Sequence, residues 1–188
     1  LKEVLNKKID TEESILLQKN IESSSTVSSI LSLQNEGGWW HEEKYSFSPF
    51  YKNTYWQVYF LSLLGASRQM LSVDKAVGLI VKNMQSEKGS FPMRYRYTGN
   101  LICFQGLTLE ILIRLGFFGE IFTEALASFI SDLMYRNDFR CKYRAQFKSP
   151  WGAVKVLKAF NLMPPEKMDS QAINIVRKAV KFLLSHDI

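Results

Sequence analysis

The stretch LSLLGAS (61–67) ends an apolar segment with leucine and then glycine, and this arrangement recurs twice along the chain. LIRLGFF (112–118) follows 51 positions later, and LKAFNLM (157–163) follows 45 positions after that, with asparagine in place of the glycine. Glycine and asparagine are the residues that most readily adopt the left-handed backbone just beyond a helix end. The three copies therefore predict three helices that end in the same way, and they indicate a protein built from repeats.

A second set of apolar segments alternates with these helices. Their apolar residues recur at helical spacing, as at Ala76, Ile80 and Met84. Because the two sets alternate, we predict antiparallel helical hairpins, three complete ones and the first helix of a fourth. The first helices of these units are STVSSILSLQ (25–34), KAVGLIVKNMQ (75–85), EALASFISDLM (124–134) and KAVKFLLSHDI (178–188).

The two helix sets differ in how their apolar residues are distributed. TYWQVYFLSLL (54–64) is apolar nearly all round, which is typical of a helix buried on every side, whereas the first helices are amphipathic. An inner set of buried helices inside an outer set fits both patterns. The predicted fold class is all-α, with repeated antiparallel helical hairpins that form a partial or small α/α toroid. We expect N-terminal capping helices in 1–24, about three and a half repeat units in 25–188, and no regular strands.

Composition limits the class of protein. The 188 residues suit one domain, and 46% hydrophobic with 22% charged residues is ordinary for a globular protein. No apolar run approaches the roughly 20 residues of a membrane helix. Two cysteines are too few for a disulfide scaffold, and the start resembles a trimmed chain more than a secretory signal, so we expect a cytoplasmic protein. A net charge of +6 favours anionic partners.

Two of the turns that follow a first helix carry a family motif. QNEGGW (34–39) resembles the QW repeat of terpenoid cyclases and of protein prenyltransferase β-subunits, and QSEKGSF (85–91) is similar with Phe for Trp. MYRNDF (134–139) is a third copy without Gln or Gly. The resemblance implies an α/α toroid and an isoprenoid substrate. The motif also has physical roles: the glutamine bonds helix-terminal backbone groups, the glycine permits a sharp turn, and the ring covers the seam between hairpins. We assign that ring to Trp39.

The catalytic motifs of this family are missing. Its cyclases use an aspartate-rich cluster, but the second helices begin with KNTYW (52–56), LICFQG (101–106) and KSPWG (148–152). Its prenyltransferases hold zinc with Asp-x-Cys and a histidine; Cys103 lies at that kind of position, but Leu101 replaces the aspartate. We therefore predict no cofactor, and we assign no catalytic residue, so whether the chain is an enzyme stays open. Two buried thiols are the ordinary explanation for the cysteines, and the alternative is a metal site built from Cys103, Cys141 and His186.

The long connections from first to second helices, at 37–53, 88–101 and 135–149, are rich in aromatic and basic residues. In a repeat protein such loops emerge at one end, so we predict an aromatic and basic rim. Alignment of the second helices also places Tyr59, Glu110 and Lys155 at one level. The predicted ligand-binding residues, from the rim and from these helices, are Trp40, Tyr55, Tyr59, Arg94, Arg96, Glu110, Arg140, Trp151 and Lys155.

Three functions are compatible with these patterns. The first is a binding module that holds an anionic or hydrophobic small molecule at the rim and in a central cleft. The second is part of an enzyme that acts on an isoprenoid or a similar hydrophobic, anionic substrate. The third is a scaffold domain that docks a protein partner through the open edge of the repeats. Nucleic acid is disfavoured because no recognised module is present.

Overall fold

The computed structural model describes residues 11–41, 51–94, 98–142 and 144–185, and these ranges contain eight α-helices. The predicted all-α class is confirmed. None of the helices in these ranges combines the length and the apolar character that a membrane span requires. The helices are α1 (Thr11–Ser23), α2 (Ser25–Ser32), α3 (Thr54–Leu63), α4 (Leu71–Met84), α5 (Ile102–Arg114), α6 (Ile121–Asn137), α7 (Pro150–Asn161) and α8 (Ser170–Leu184), with a 3₁₀ turn at Pro165–Lys167.

Short strands also occur, and the expectation of none is wrong. The antiparallel pair β1 (Met93–Arg94) and β2 (Thr98–Gly99) lies in the connection between α4 and α5. A second antiparallel pair, β3 (Arg140–Cys141) and β4 (Arg144–Lys148), lies between α6 and α7. Each pair folds a long connection back on itself, which satisfies backbone groups that an open loop would leave to solvent.

The leucine followed by glycine that recurs in the sequence ends two helices as predicted. At the end of α3, Gly65 has a φ of +83°, and the N–H of Ala66 donates to the carbonyl of Leu61 over 3.0 Å. Helix α5 ends in the same way, with Gly116 at a φ of +89°. This is the arrangement in which a left-handed residue lets the chain satisfy the last carbonyls of the helix.

The third copy differs from the prediction. Asn161 does not occupy the left-handed position; it is the last residue of α7, and the residue that follows it, Leu162, has a φ of −85°. The N–H groups of Leu162 and Met163 donate to carbonyls three residues back. Because these tighter bonds already satisfy the end of the helix, a left-handed residue is not required.

The second helices of the units lie side by side. Helix α3 contacts α5, and α5 contacts α7. Each also contacts the helix that follows it in the chain, α3 with α4, α5 with α6, and α7 with α8, and α6 contacts α8. Helix α5 is thus the central helix of the described fold. Helix α5 is buried on nearly every side, whereas α3 leaves Leu63 half exposed.

Glycine sets the separation of α5 and α7. A Cβ added at Gly106 would lie 2.8 Å from the backbone carbon of Lys155 and from the backbone nitrogen of Val156. Real Cβ atoms do not approach backbone atoms this closely, so a larger residue would push the two helices apart. The close approach brings the side chains of α5 and α7 to the same surface.

Candidate functional site

The glutamines of the repeat motif connect consecutive first helices. Gln85 Nε2 donates to the carbonyl of Gly89 over 3.2 Å and to the carbonyl of Phe122, in the first turn of α6, over 2.8 Å. Gln34 bonds the equivalent turn and the carbonyl of Ser72 in the first turn of α4. The amide thus bonds the next first helix as well as its own turn, rather than capping orphan groups of its own helix.

The ring that covers the seam is Trp40, and the assignment to Trp39 is wrong by one residue. The backbone N–H of Trp40 donates to Thr54 Oγ1 over 3.0 Å, and that of Phe91 donates to Gln105 Oε1 over 2.8 Å. Both bonds join residues 14 positions apart, so Trp40 and Phe91 are equivalent. Both rings are buried, whereas Trp39 is only half-buried.

Two of the predicted ligand-binding residues lie in the core. The indole Nε1–H of Trp40 donates to the carbonyl of Ile30 over 2.7 Å, so the side chain is held within the fold. Tyr55 is buried with its hydroxyl 2.9 Å from Thr108 Oγ1. Burial raises the pKa of Tyr55 well above that of a free tyrosine. Neither residue presents a surface to a ligand in this structure.

The structure describes only part of the predicted aromatic and basic rim. Arg140 is exposed on β3. The backbone of Arg94 belongs to β1, but its side chain and all of Arg96 lie outside the described residues. Two of the long connections do meet, because the side chain of Lys142 packs so closely on Gly99 that a Cβ there would collide with Nζ.

The alternative metal set is incomplete in the part of the chain that the structure describes. Cys103 and Cys141 are both free thiols, and His186 lies outside the described residues. Burial raises the pKa of Cys103, and the nearby Cys141 raises it further. No group of three His, Cys, Asp or Glu side chains that could hold a metal occurs in residues 11–41, 51–94, 98–142 or 144–185.

A buried carboxylate with three cations is the most unusual feature of the second helices. The Glu110 side chain is 1% exposed. Its Oε1 accepts a hydrogen bond from Arg114 Nε over 3.1 Å and lies 3.8 Å from Lys158 Nζ. Its Oε2 lies 4.0 Å from Lys155 Nζ and has no hydrogen-bond partner among the described residues. We call these four residues the Glu110 cluster.

Helices α3, α5 and α7 each contribute to this surface. Lys155 Nζ lies 5.7 Å from the centre of the Tyr59 ring on α3 and 5.3 Å from the centre of the Trp151 ring, one turn earlier on α7. Both distances allow a cation–π interaction. Tyr59, Glu110 and Lys155 thus meet, as the repeat alignment predicts, and their role in binding a ligand stays a prediction.

The surroundings of the cluster change its titration. Burial lowers the pKa of Lys155, the charge of Glu110 opposes that shift, and the neighbouring Lys158 adds to it. Burial raises the pKa of Tyr59, and the negative charge of Glu110 raises it further. Burial disfavours the charged form of each group, and so it lowers the pKa of the lysine and raises the pKa of the tyrosine. A nearby charge of like sign adds to such a shift, and one of opposite sign reduces it.

Two members of the cluster were not among the predicted ligand-binding residues. Arg114 follows Glu110 by four positions on α5, a spacing that places the two side chains on one face of a helix, so this pairing was open to prediction. Lys158 stands three positions after Lys155 on α7. Nothing local to α7 indicates that both lysines reach one carboxylate on another helix.

Two other surfaces are separate from the cluster. A cavity of about 220 Å³ is bounded by parts of α5, α6, α7 and α8, where it is lined by Leu109, Phe160 and Ala172 and by no member of the cluster. On α8, Val180 and Leu184 are exposed, in the region where the sequence predicts an open edge.

Comparison of the chain with protein-family models, with curated proteins and with solved structures finds no match. The resemblance to terpenoid cyclases and prenyltransferases therefore stays a prediction that rests on the two QW-like turns.

Proposed function

We propose that this chain forms an arc of an α/α toroid and binds an anionic, hydrophobic small molecule on the face shared by α3, α5 and α7. The observation that carries the proposal is the charge of the Glu110 cluster. One carboxylate faces three cations within 4.0 Å, so the cluster has an excess of two positive charges. A phosphate, a diphosphate or a carboxylate would balance that excess.

The cations differ in their access to solvent, and this difference indicates where the anion binds. The side chains of Lys158 and Arg114 are 53% and 21% exposed, whereas that of Lys155 is only 10% exposed. An arriving anion therefore meets Lys158 and Arg114 first. Because Glu110 is buried behind them, it orients the cations without repelling the anion from the surface.

Aromatic side chains adjoin the charges. Trp151 is 65% exposed, so its ring is accessible to a ligand beside the cations. Tyr59 is half-buried, and its ring centre lies 5.8 Å from that of Trp56. These rings offer an apolar surface next to the cations, which suits a ligand with a charged group at one end and a hydrocarbon or aromatic group at the other.

The toroidal arrangement is supported by two features. The second helices contact each other in chain order, and the glutamine bonds recur between consecutive first helices. Since the QW-like turns resemble those of isoprenoid enzymes, a prenyl diphosphate is a suitable first ligand to test.

The test is calorimetric titration with farnesyl diphosphate, farnesol and inorganic pyrophosphate. We expect farnesyl diphosphate to bind more tightly than the other two, because only it has both the anion and the hydrocarbon. Lys158→Met should weaken its binding about tenfold, which corresponds to about 1.4 kcal/mol. Affinity should also fall as salt is raised.

Lys181→Met is the matched control, since Lys181 is an exposed lysine on α8. This variant should bind as the unmodified chain does. Equal loss of affinity in Lys158→Met and Lys181→Met, or equal binding of farnesol and farnesyl diphosphate, would contradict a specific anion site at the cluster.

A further inference from the structure

Lys155 differs from an ordinary anion-binding lysine. Its side chain is nearly buried between the rings of Tyr59 and Trp151. Among the described residues its ion-pair partner is Glu110, whose closest oxygen is 4.0 Å from Nζ. Within the part of the chain that the structure describes, that oxygen has no hydrogen bond. Lysines that bind anions on surfaces are usually well exposed, whereas the side chain of this one is only 10% exposed.

We propose that Lys155 is a nucleophilic amine that condenses with the carbonyl group of an oxo acid bound at the Glu110 cluster. The proposal rests on the proposed function, since the same cations would hold the carboxylate of the oxo acid. It narrows the ligand to a carboxylate with a ketone or aldehyde and an apolar side chain. The site then performs covalent chemistry in addition to binding.

The position of Lys155 and the charges around it favour the neutral amine, which is the nucleophilic form of a lysine. A lysine that lacks water and lies near other cations is more easily deprotonated. Lys158 and Arg114 share a carboxylate with Lys155. Burial lowers the pKa of Lys155, the charge of Glu110 opposes that shift, and nearby Lys158 and Arg114 add to it. Lys158, one turn further along α7, is half exposed and lies where it can contact the carboxylate of the ligand.

The condensation is balanced without an oxidant or a reductant. Glu110 accepts a proton from the Lys155 ammonium group, and the neutral Nζ attacks the carbonyl carbon. A C–N bond forms while the π electrons move to the oxygen, which takes one proton from the attacking nitrogen and becomes a hydroxyl group, so that the nitrogen is neutral again. The nitrogen lone pair then expels this hydroxyl, which leaves as water with the proton that Glu110 returns. The product is an iminium ion on Lys155.

The other side chains determine which oxo acids fit. Arg114 and Lys158 are the exposed cations of the cluster, so they meet the carboxylate. Tyr59 and Trp151 flank Nζ, so an aromatic or branched group on the oxo acid packs against them. Phenylpyruvate has the carbonyl, the carboxylate and the ring, and we choose it as the probe.

The experiment traps the iminium ion. The chain is incubated with phenylpyruvate and cyanoborohydride, which reduces the C=N bond to a secondary amine, and is then digested for mass spectrometry. We expect one lysine, Lys155, to gain the mass of the probe less one oxygen atom. Labelling spread over several exposed lysines, or absent from Lys155, would overturn the proposal. Because the mapping uses the unmodified chain, it does not depend on the folding of a variant.

Controls separate the two proposals. Phenyllactate has a hydroxyl in place of the carbonyl, so it should compete with phenylpyruvate for binding and never be trapped. Binding of both acids without trapping at Lys155 would overturn the covalent step and leave the binding proposal standing. Absence of binding by either acid would overturn the covalent proposal and would also contradict the binding proposal for carboxylate ligands. Lys155→Met should abolish trapping, and Lys181→Met should leave it unchanged.

Discussion

Replacement of Glu110 by glutamine tests the central feature of the site. Glu110→Gln keeps the size of the side chain and removes its charge. In the unmodified chain this carboxylate is 1% exposed and is the shared partner of Arg114, Lys155 and Lys158. The substitution leaves their positive charges side by side, and the side chain of one of them, Lys155, is only 10% exposed.

The exposure of each cation determines the expected cost. Removal of one partner from a buried ion pair typically costs 3–5 kcal/mol, because a charge remains buried without compensation. Lys155 is buried enough for that cost to apply, Arg114 is partly exposed, and half-exposed Lys158 contributes little. We therefore expect a loss of about 3 kcal/mol in the free energy of unfolding, at the lower end of that range.

Urea denaturation followed by circular dichroism measures this loss. Glu87→Gln is the matched control, because Glu87 is exposed in a turn, and it should change stability by less than about 0.5 kcal/mol. The double variant Glu110→Leu with Lys155→Met should recover part of the loss, since an apolar pair leaves fewer charges unpaired. A change below about 1 kcal/mol in Glu110→Gln would refute the view that these charges are desolvated.

Three further predictions concern the helices around the site. Gly106→Ala should cost about 1–3 kcal/mol because its methyl group would meet the backbone of α7, whereas Gly78→Ala, with open space around it, should gain up to about 1 kcal/mol in urea denaturation. Gln85→Met should cost about 1–2 kcal/mol, since two hydrogen bonds are lost. Tyr55→Phe should reduce the loss of stability above pH 10, measured by unfolding on either side of that pH.

The sign of the pH effect follows from the raised pKa of Tyr55. Above pH 10.0 the unfolded tyrosine releases its proton and the folded one keeps it, so stability falls as pH rises, by about 1.4 kcal/mol per pH unit. An unchanged alkaline slope in Tyr55→Phe would contradict this explanation.

Equal effects of alanine at Gly106 and Gly78 would contradict the close packing of α5 on α7. The control for Gln85→Met is Gln69→Met, at an exposed position. Equal losses of stability in the two variants would contradict a structural role for the side-chain amide of Gln85.

The repeat could be predicted because its signals lie close together in the chain. The end of α3 needs only Gly65 and the residues within one turn of it, and the backbone bonds there confirm the pattern. The alignment of Tyr59 with Lys155 is correct for the same reason. Each residue was placed by counting positions back from the end of its own helix, and those ends are specified locally. The seam ring was misassigned although the sequence held the signal, since the 51 positions that separate the first two repeats pair Phe91 with Trp40.

The amino-acid sequence by itself determined the helices, the repeat and the residues that share one level of the second helices. Only the tertiary structure decided that α5 is central, that Glu110 is buried among three cations, and that Trp40 and Tyr55 belong to the core. Helix ends depend on hydrogen bonds between residues a few positions apart, so local sequence specifies them. The loss of water around a charge depends on side chains from helices 45 or more positions apart, such as Glu110 and Lys155, and it arises only when those helices pack together.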